Sequence, residues 1–167
     1  VGLNRQPVAS FGGPTLRPQA TIAGFGAADV VIVPAQFAPD AEASPEDERL
    51  AAWLRAQHAQ GALLVSLAGC LLLAKAGLLD RREATGLLSE AALFRSRFPL
   101  VRYLPPRRVV ASGDIVTANG IGPTPDACAH IIERFHGAAL ARRFLRHTST
   151  EALPVNEQTS LWSARYK

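Results

Sequence analysis

The chain has 167 residues, 48% of them hydrophobic and 19% charged, with a formal net charge of +4 at neutral pH. That length suits one domain with a full core, and the composition excludes both a disordered chain and a coiled coil. The longest uncharged apolar run, residues 61–74, is shorter than the ~20 residues of a membrane-spanning helix and is interrupted by Ser66 and Gly69, so no membrane partner is expected.

Residues 8–18 read as short extended pieces around a Gly12-Gly13-Pro14 turn. The β-branched run at 29–33, ended by Pro34, predicts a strand buried on both faces, as in a parallel sheet. Residues 39–43 read as loop. Ser44-Pro45-Glu46-Asp47 then supplies a helix cap, a proline at the first helical position and acid in the first turn, with Leu50, Trp53, Leu54 and His58 on one face and an end near Gln60-Gly61. A short strand at 62–66 runs within a few residues into an apolar helix at 70–76, closed by Gly77. The pattern at 82–97 predicts a helix stopped by Pro99. Strands follow at 101–104, 109–111 and 115–117, the last two joined by a Ser112-Gly113-Asp114 turn. Thr124-Pro125 opens a helix with Ala127, Cys128, Ile131, Ile132 and Phe135 at core spacing and Gly137 at its end. A last helix at 138–147 carries Leu140, Ala141, Phe144 and Leu145 on one side, and the polar tail from Ser149 has Leu161, Trp162 and Tyr166 available to dock. Strands alternating with helices imply an α/β layer fold with a mostly parallel sheet.

Charge is uneven along the chain: residues 1–80 carry 5 basic against 7 acidic side chains, and residues 81–167 carry 13 against 7. Most of the excess lies in the pairs Arg81/Arg82, Arg107/Arg108 and Arg142/Arg143, a pattern more typical of solvated faces than of a phosphate track. Cys70 and Cys128 sit in apolar surroundings without CxxC or Cys/His spacing, which reads as buried thiols in a reducing, cytoplasmic setting, with no metal site. His58 and His130 read as surface or satisfied helical residues, and His136 and His147 as helix-closing ones. Gly24-Phe25-Gly26 lacks the third glycine and the preceding strand of a dinucleotide fingerprint, and no cofactor is expected. Gly120-Ile121-Gly122, between a strand and a helix, reads either as a tight turn or as backbone amides aimed at a small anion.

Residues 61–80, GALLVSLAGCLLLAKAGLLD, are the most informative. Strand, sharp turn and helix in this order are the parts of a nucleophile elbow, in which one strained residue presents a thiol or hydroxyl at the tip. The tip residues here are Leu67, Ala68 and Gly69, with Ser66 before them and Cys70 after, and a plain buried strand-to-helix connection has the same local pattern.

The segment resembles the elbow of ThiJ/PfpI (glutamine-amidotransferase-like) domains, above all those that form the amino-terminal halves of GlxA-type regulators in the AraC family. Residues 72–80, LLAKAGLLD, match the second half of that elbow. Arg82 to Thr85 with Arg97-Phe98-Pro99 resembles the family's Arg-x-Ala-Thr helix, residues 115–120 its Thr-x-x-Gly strand, Asp126 its capping aspartate and residues 136–143 its final helix. Gly12-Gly13-Pro14-Thr15-Leu16 and residues 29–34 fit upstream, so the resemblance spans residues 1 to about 147. The departures concern chemistry. Counting back from Asp80 puts the family's cysteine at Leu67, and counting forward from Ser66 puts it at Ala68; one added residue between them, such as an oxidised cysteine, restores the family spacing. The histidine frequent after Arg-x-Ala-Thr corresponds to Leu87, and the glycine pair lining the oxyanion site after Val-Pro is replaced by Ala35-Gln36. The family's first strand-helix unit, with its glutamate, falls before Val1, and with no methionine in the sequence a longer parent chain is expected.

The resemblance implies a flavodoxin-like three-layer sandwich, a mostly parallel sheet flanked by helices, over residues 1–148. Residues 149–167 would form a tail or linker toward a helix-turn-helix domain absent from this sequence. It implies a non-catalytic, effector-sensing and dimerising domain of a transcription regulator, with DNA reached only through that further domain, a small-molecule effector and a homodimer. The expected pocket is lined by Ser66, Leu67, Ala68, Gly69, Cys70, Ala35, Gln36, Asn119 and Gly120. The rival reading is a cysteine-dependent amidase or hydratase of the same superfamily, and a third is a purely structural dimerisation module.

Overall fold

The computed structural model describes residues 1–10, 12–35 and 44–148; Gln36, the expected loop at 39–43 and the tail from Ser149 lie outside them. In chain order the elements are β1 (Val8–Ala9), β2 (Thr15–Leu16), β3 (Val30–Val33), α1 (Pro45–Ala59), β4 (Leu63–Leu67), α2 (Cys70–Lys75), β5 (Glu83–Ala84), α3 (Ala91–Arg97), β6 (Arg102–Tyr103), β7 (Val109–Ser112), β8 (Ile115–Ala118), α4 (Thr124–His136) and α5 (Ala138–His147). The main sheet has the order β3-β4-β8-β7, parallel across its first two pairings and antiparallel in the β7–β8 hairpin, which turns at Gly113-Asp114. β1 pairs antiparallel with β2, and β5 parallel with β6, in two small sheets.

The continuous apolar run of β4 follows from its place between β3 and β8. Val65 pairs with Ile32 on one side and Val116 on the other, so both edges of the strand are hydrogen-bonded and its two faces are left to the helices. Leu64 and Ile115 pack with Leu54 of α1, Leu73 of α2 and Phe94 of α3, whereas Leu63, Val65, Val116 and Ala118 pack with Ala127 of α4. Helices therefore flank the sheet on both sides, in three layers, and burying Leu64 or Val65 completely stabilises by about 1.5–3 kcal/mol each. α5 lies against α4 through Ala129, Ala141 and Leu145. Among the described residues no helix is long and apolar enough to cross a membrane.

The helix cap at Ser44 forms as expected: Asp47 N–H donates to Ser44 Oγ at 3.0 Å, and Ser44 N–H donates to Asp47 Oδ2 at 3.2 Å. Asp47 also takes an ion pair from Lys75 at 2.9 Å, tying the start of α1 to the end of α2. The face of α1 that is fully buried is Ala51, Leu54 and Gln57, with Leu50 and Trp53 half-covered beside it. Gln57 is buried because its side chain serves as backbone: Oε1 accepts from Ala28 N–H and Nε2 donates to the Gly26 carbonyl, both at 2.9 Å.

Two expectations change. In the sheet of the described residues β3 lies outermost, and Ile32 is 52% exposed on the face where α4 covers β4 and β8. The segment 82–97 is not one helix: Glu83-Ala84 pairs with Arg102-Tyr103 as a strand, a 3-10 turn follows at Leu88–Glu90, and α3 begins only at Ala91. Tertiary hydrogen bonds hold this stretch extended, since Thr85 N–H donates to Thr117 Oγ1 at 2.8 Å and Thr85 Oγ1 donates to the Arg107 carbonyl at 2.7 Å.

Candidate functional site

The parallel strands β3, β4 and β8 end on one edge of the sheet, the edge at which ligands of such sheets bind. Their carboxyl ends bring Ala35, the turn from Leu67 to Cys70, and Asn119-Gly120 into one neighbourhood. At the end of β4, Ala68 takes φ of 59°, one of two non-glycine residues with positive φ among those described. Such a conformation costs an L-residue roughly 1–2 kcal/mol and is the strain that defines the tip of a strand-to-helix elbow. The tip is therefore Ala68 rather than Leu67, and its side chain is a buried methyl group. Ala68 N–H donates to the Ala118 carbonyl at 3.1 Å, carrying the β4–β8 ladder up to the strained residue.

The neighbours of the tip fix its shape. Gly69 N–H donates to Ser66 Oγ at 3.0 Å, so the fully buried Ser66 hydroxyl braces the turn from within. A Cβ on Gly69 would stand 2.2 Å from the Pro34 carbonyl oxygen, so only glycine lets the chain leaving β3 pass this close to the elbow. Ala35, directly after Pro34, is half-buried, as are Leu67, Asn119 and Gly120, while Ser66, Ala68, Gly69 and Cys70 are buried. The Asn119 side chain donates to the Pro105 carbonyl at 3.1 Å, and its backbone N–H donates to the Arg108 carbonyl.

Cys70, the first residue of α2, belongs to a small polar cluster that the sequence does not announce. Its Sγ lies 3.9 Å from Glu90 Oε2, and Tyr103 Oη lies 3.5 Å from the same carboxyl oxygen while donating to the Leu87 carbonyl at 2.7 Å. Burial pushes the Cys70 thiol well above the ordinary range, and the Glu90 carboxyl raises it further. Burial also raises Glu90 above its usual value, partly opposed by the Tyr103 hydroxyl and the Leu87 backbone. Tyr103 is raised by burial and then by the two acidic neighbours. A protonated thiol with no exposed surface is not a nucleophile. Leu87, in the position of the family's histidine, offers only its carbonyl to this cluster. Gly86 makes room for the cluster: a Cβ there would sit 2.4 Å from Cys70 Sγ and 2.7 Å from Tyr103 Oη. Phe94 stacks on the Tyr103 ring at 4.1 Å between centroids.

A cleft of about 390 Å³ opens on the outer side of α3 and β6, lined by Arg95, Phe98, Val101, Tyr103 and Pro105 among others; none of the expected pocket residues lines it. Asp126, the expected capping aspartate, is buried near the start of α4 and holds Arg108 at 2.7 Å. Among the described residues no three His, Cys, Asp or Glu side chains gather as a metal site would require.

Comparison with known proteins places this geometry. The sequence profile of the DJ-1/PfpI family matches residues 1–134. A protein from Vibrio parahaemolyticus described as a transcriptional regulator is 25% identical, with a TM-score of 0.74 over 84% of this chain and 76% of that one. An AraC family transcriptional regulator from Pseudomonas putida is 21% identical, with a TM-score of 0.71 over 87% of this chain and 77% of its own. DJ-1beta of Drosophila melanogaster is 18% identical, also at 0.71, over 89% and 79%. Those two share the fold. Comparison with curated proteins finds no significant match.

Proposed function

Because the chain belongs to the DJ-1/PfpI family and carries a methyl group at the tip of its elbow, we propose that it is the non-catalytic effector-sensing domain of an AraC-type transcription regulator. The observation that carries this reading is Ala68. The elbow keeps its strained backbone and its obligatory glycine, yet its tip presents nothing that can attack a carbonyl. The structural likeness to regulators from Vibrio and Pseudomonas supports the same choice. The rival amidase or hydratase needs a thiolate, which neither the Ala68 methyl nor the buried, protonated Cys70 thiol supplies.

In this reading residues 1–148 bind a small metabolite, an amine or amino-acid derivative, at the sheet edge beside Ala35, Leu67, Ala68, Asn119 and Gly120. The domain works as a homodimer in the cytoplasm, and a helix-turn-helix domain beyond Lys167 in the encoded polypeptide reads the operator. The effector acts by binding one arrangement of domains or protomers more tightly than the other, since a ligand of equal affinity for both shifts nothing.

The test is thermal denaturation of the chain against a panel of amines and amino acids, run beside a turnover assay for amide hydrolysis and hydration. A true effector at 100 times its Kd raises stability by about 2.7 kcal/mol. Stabilisation by one chemical group of ligands without turnover is the expected result. A flat panel favours a structural dimerisation module, and turnover abolished by iodoacetamide would replace the sensor with a thiol enzyme.

A further inference from the structure

The three adjacent arginine pairs end in different situations. Arg82 donates to the Ser112 carbonyl at 2.8 Å, and Arg108 is held by Asp126 at 2.7 Å. On α5, by contrast, neither Arg142 nor Arg143 makes an ion pair or a side-chain hydrogen bond among the described residues, and nor does Arg146 one turn later. All three are exposed, as is His147 beside them. At 100° per residue, positions 142, 143, 146 and 147 cover an arc of about 140° on the side away from Ala141 and Leu145, which pack on α4.

Among the described residues no ion pair or hydrogen bond accounts for this face. A cation in the last helical turn is favoured by the helix dipole, which explains Arg146 and His147 but not Arg142 and Arg143 a turn earlier. α5 contains no acidic residue to balance them, and like charges at Arg142 and Arg146, four residues apart, work against the helix. The charge is spent outward. All three cations are arginines, whose rigid fork matches phosphate oxygens better than lysine does. Four residues of helix rise about 6 Å, enough for each arginine to face a different phosphate of a duplex that carries one charge per roughly 1.7 Å of axis.

We propose that the exposed face of α5 contacts the phosphate backbone of duplex DNA without reading bases. The proposal rests on the regulator reading, which brings DNA within reach just beyond this helix, and goes beyond it by giving the sensing domain a DNA contact of its own.

The experiment measures binding of the chain, and of the full encoded polypeptide, to labelled duplexes of operator and unrelated sequence by fluorescence anisotropy between 50 and 200 mM salt. Replacing Arg142, Arg143 and Arg146 together by glutamine is expected to lower the slope of log K against log salt by about 2–3, at about 0.9 per phosphate contact. Affinity for both duplexes should fall by the same factor, with an unchanged melting temperature. The corresponding triple lysine variant keeps the slope. An unchanged slope in a polypeptide that still binds its operator overturns the proposal and leaves the regulator reading standing. Arginine-dependent binding by the 167-residue chain, in a protein with no separate DNA-binding domain, sustains the proposal and sinks that reading. No duplex binding by either form at 50 mM salt overturns it, as does loss of binding only to phosphatidylserine vesicles.

Discussion

Replacing Gly69 by alanine probes the contact on which the elbow depends. The new Cβ would lie 2.2 Å from the Pro34 carbonyl oxygen, 3.1 Å from its carbon and 3.2 Å from Val33 Cγ1. Ordinary contact between such atoms begins near 3.4 Å, so the chain leaving β3 must retreat from α2 by roughly 1 Å. The obstruction is backbone continuous with a strand hydrogen-bonded to β4, so it cannot rotate aside as a side chain would. Overpacking of this kind costs about 1–3 kcal/mol. Alanine recovers only about 0.4–1 kcal/mol by restricting the unfolded chain. The net loss is about 1.3 kcal/mol, which for a domain of this size lowers Tm by roughly 3–5 °C. Urea denaturation should show a lower midpoint with an unchanged m value. Gly26→Ala is the control, because a Cβ there meets nothing within 4 Å and its φ is not positive. If Gly69→Ala melts within about 1 °C of the parent while Gly26→Ala behaves as expected, the close approach of Pro34 to the elbow is not a feature of the folded protein.

Other outcomes follow from the same structure. In the native protein iodoacetamide should label Cys128, which is partly exposed, and leave Cys70 untouched until denaturant is added; peptide mass spectrometry distinguishes the two, and rapid native labelling of Cys70 would refute its burial. Glu90 binds its proton more tightly folded than unfolded, so it contributes a stability that is complete below its ordinary value of 4.5 and declines as pH rises through the raised one. Glu90→Gln removes this dependence, and the parent's stability relative to the variant should therefore fall as pH rises above 4.5; parallel curves would show that the carboxyl is not perturbed. Asp47 shifts the other way, lowered first by its hydrogen bond from Lys75, so the pair stabilises above the ordinary value of 3.8 and is lost as pH falls below it. Lys75→Met should cost about 1 kcal/mol at neutral pH for this partly covered pair, with the deficit shrinking in acid. Ser44→Ala should cost about 1 kcal/mol by calorimetry through loss of the cap on α1.

The order of elements was legible in the sequence because the signals concerned are local. Ser44-Pro45 with Asp47 caps its own helix, Gly113-Asp114 closes its own hairpin, and the apolar runs of β3 and β4 mark strands whatever lies beside them. The resemblance added the family, and with it the expectation of a layered sheet with its elbow at the carboxyl edge. Local pattern misled where distant partners decide the outcome. Residues 82–90 have helical spacing, yet Thr117 and Arg107, remote in sequence, hold Thr85 in an extended segment. Ile32 looks as apolar as its neighbours, and its exposure among the described residues follows from where α4 packs on the sheet.

The candidate site divides in the same way. Composition around 61–80 determines that a strand turns sharply into a helix and that no hydroxyl or thiol occupies positions 67 to 69. Which of those residues is the tip depends on a backbone angle, set by the ladder to β8 and by the approach of Pro34 to Gly69, and that is tertiary information. The cluster of Cys70, Glu90 and Tyr103 joins residues up to 33 positions apart, packed over a glycine at 86, and no one-dimensional spacing encodes such a meeting. Short-range backbone preferences are written residue by residue. Burial and the perturbed acidity that burial causes are properties of neighbours, and neighbours exist only once the chain has folded.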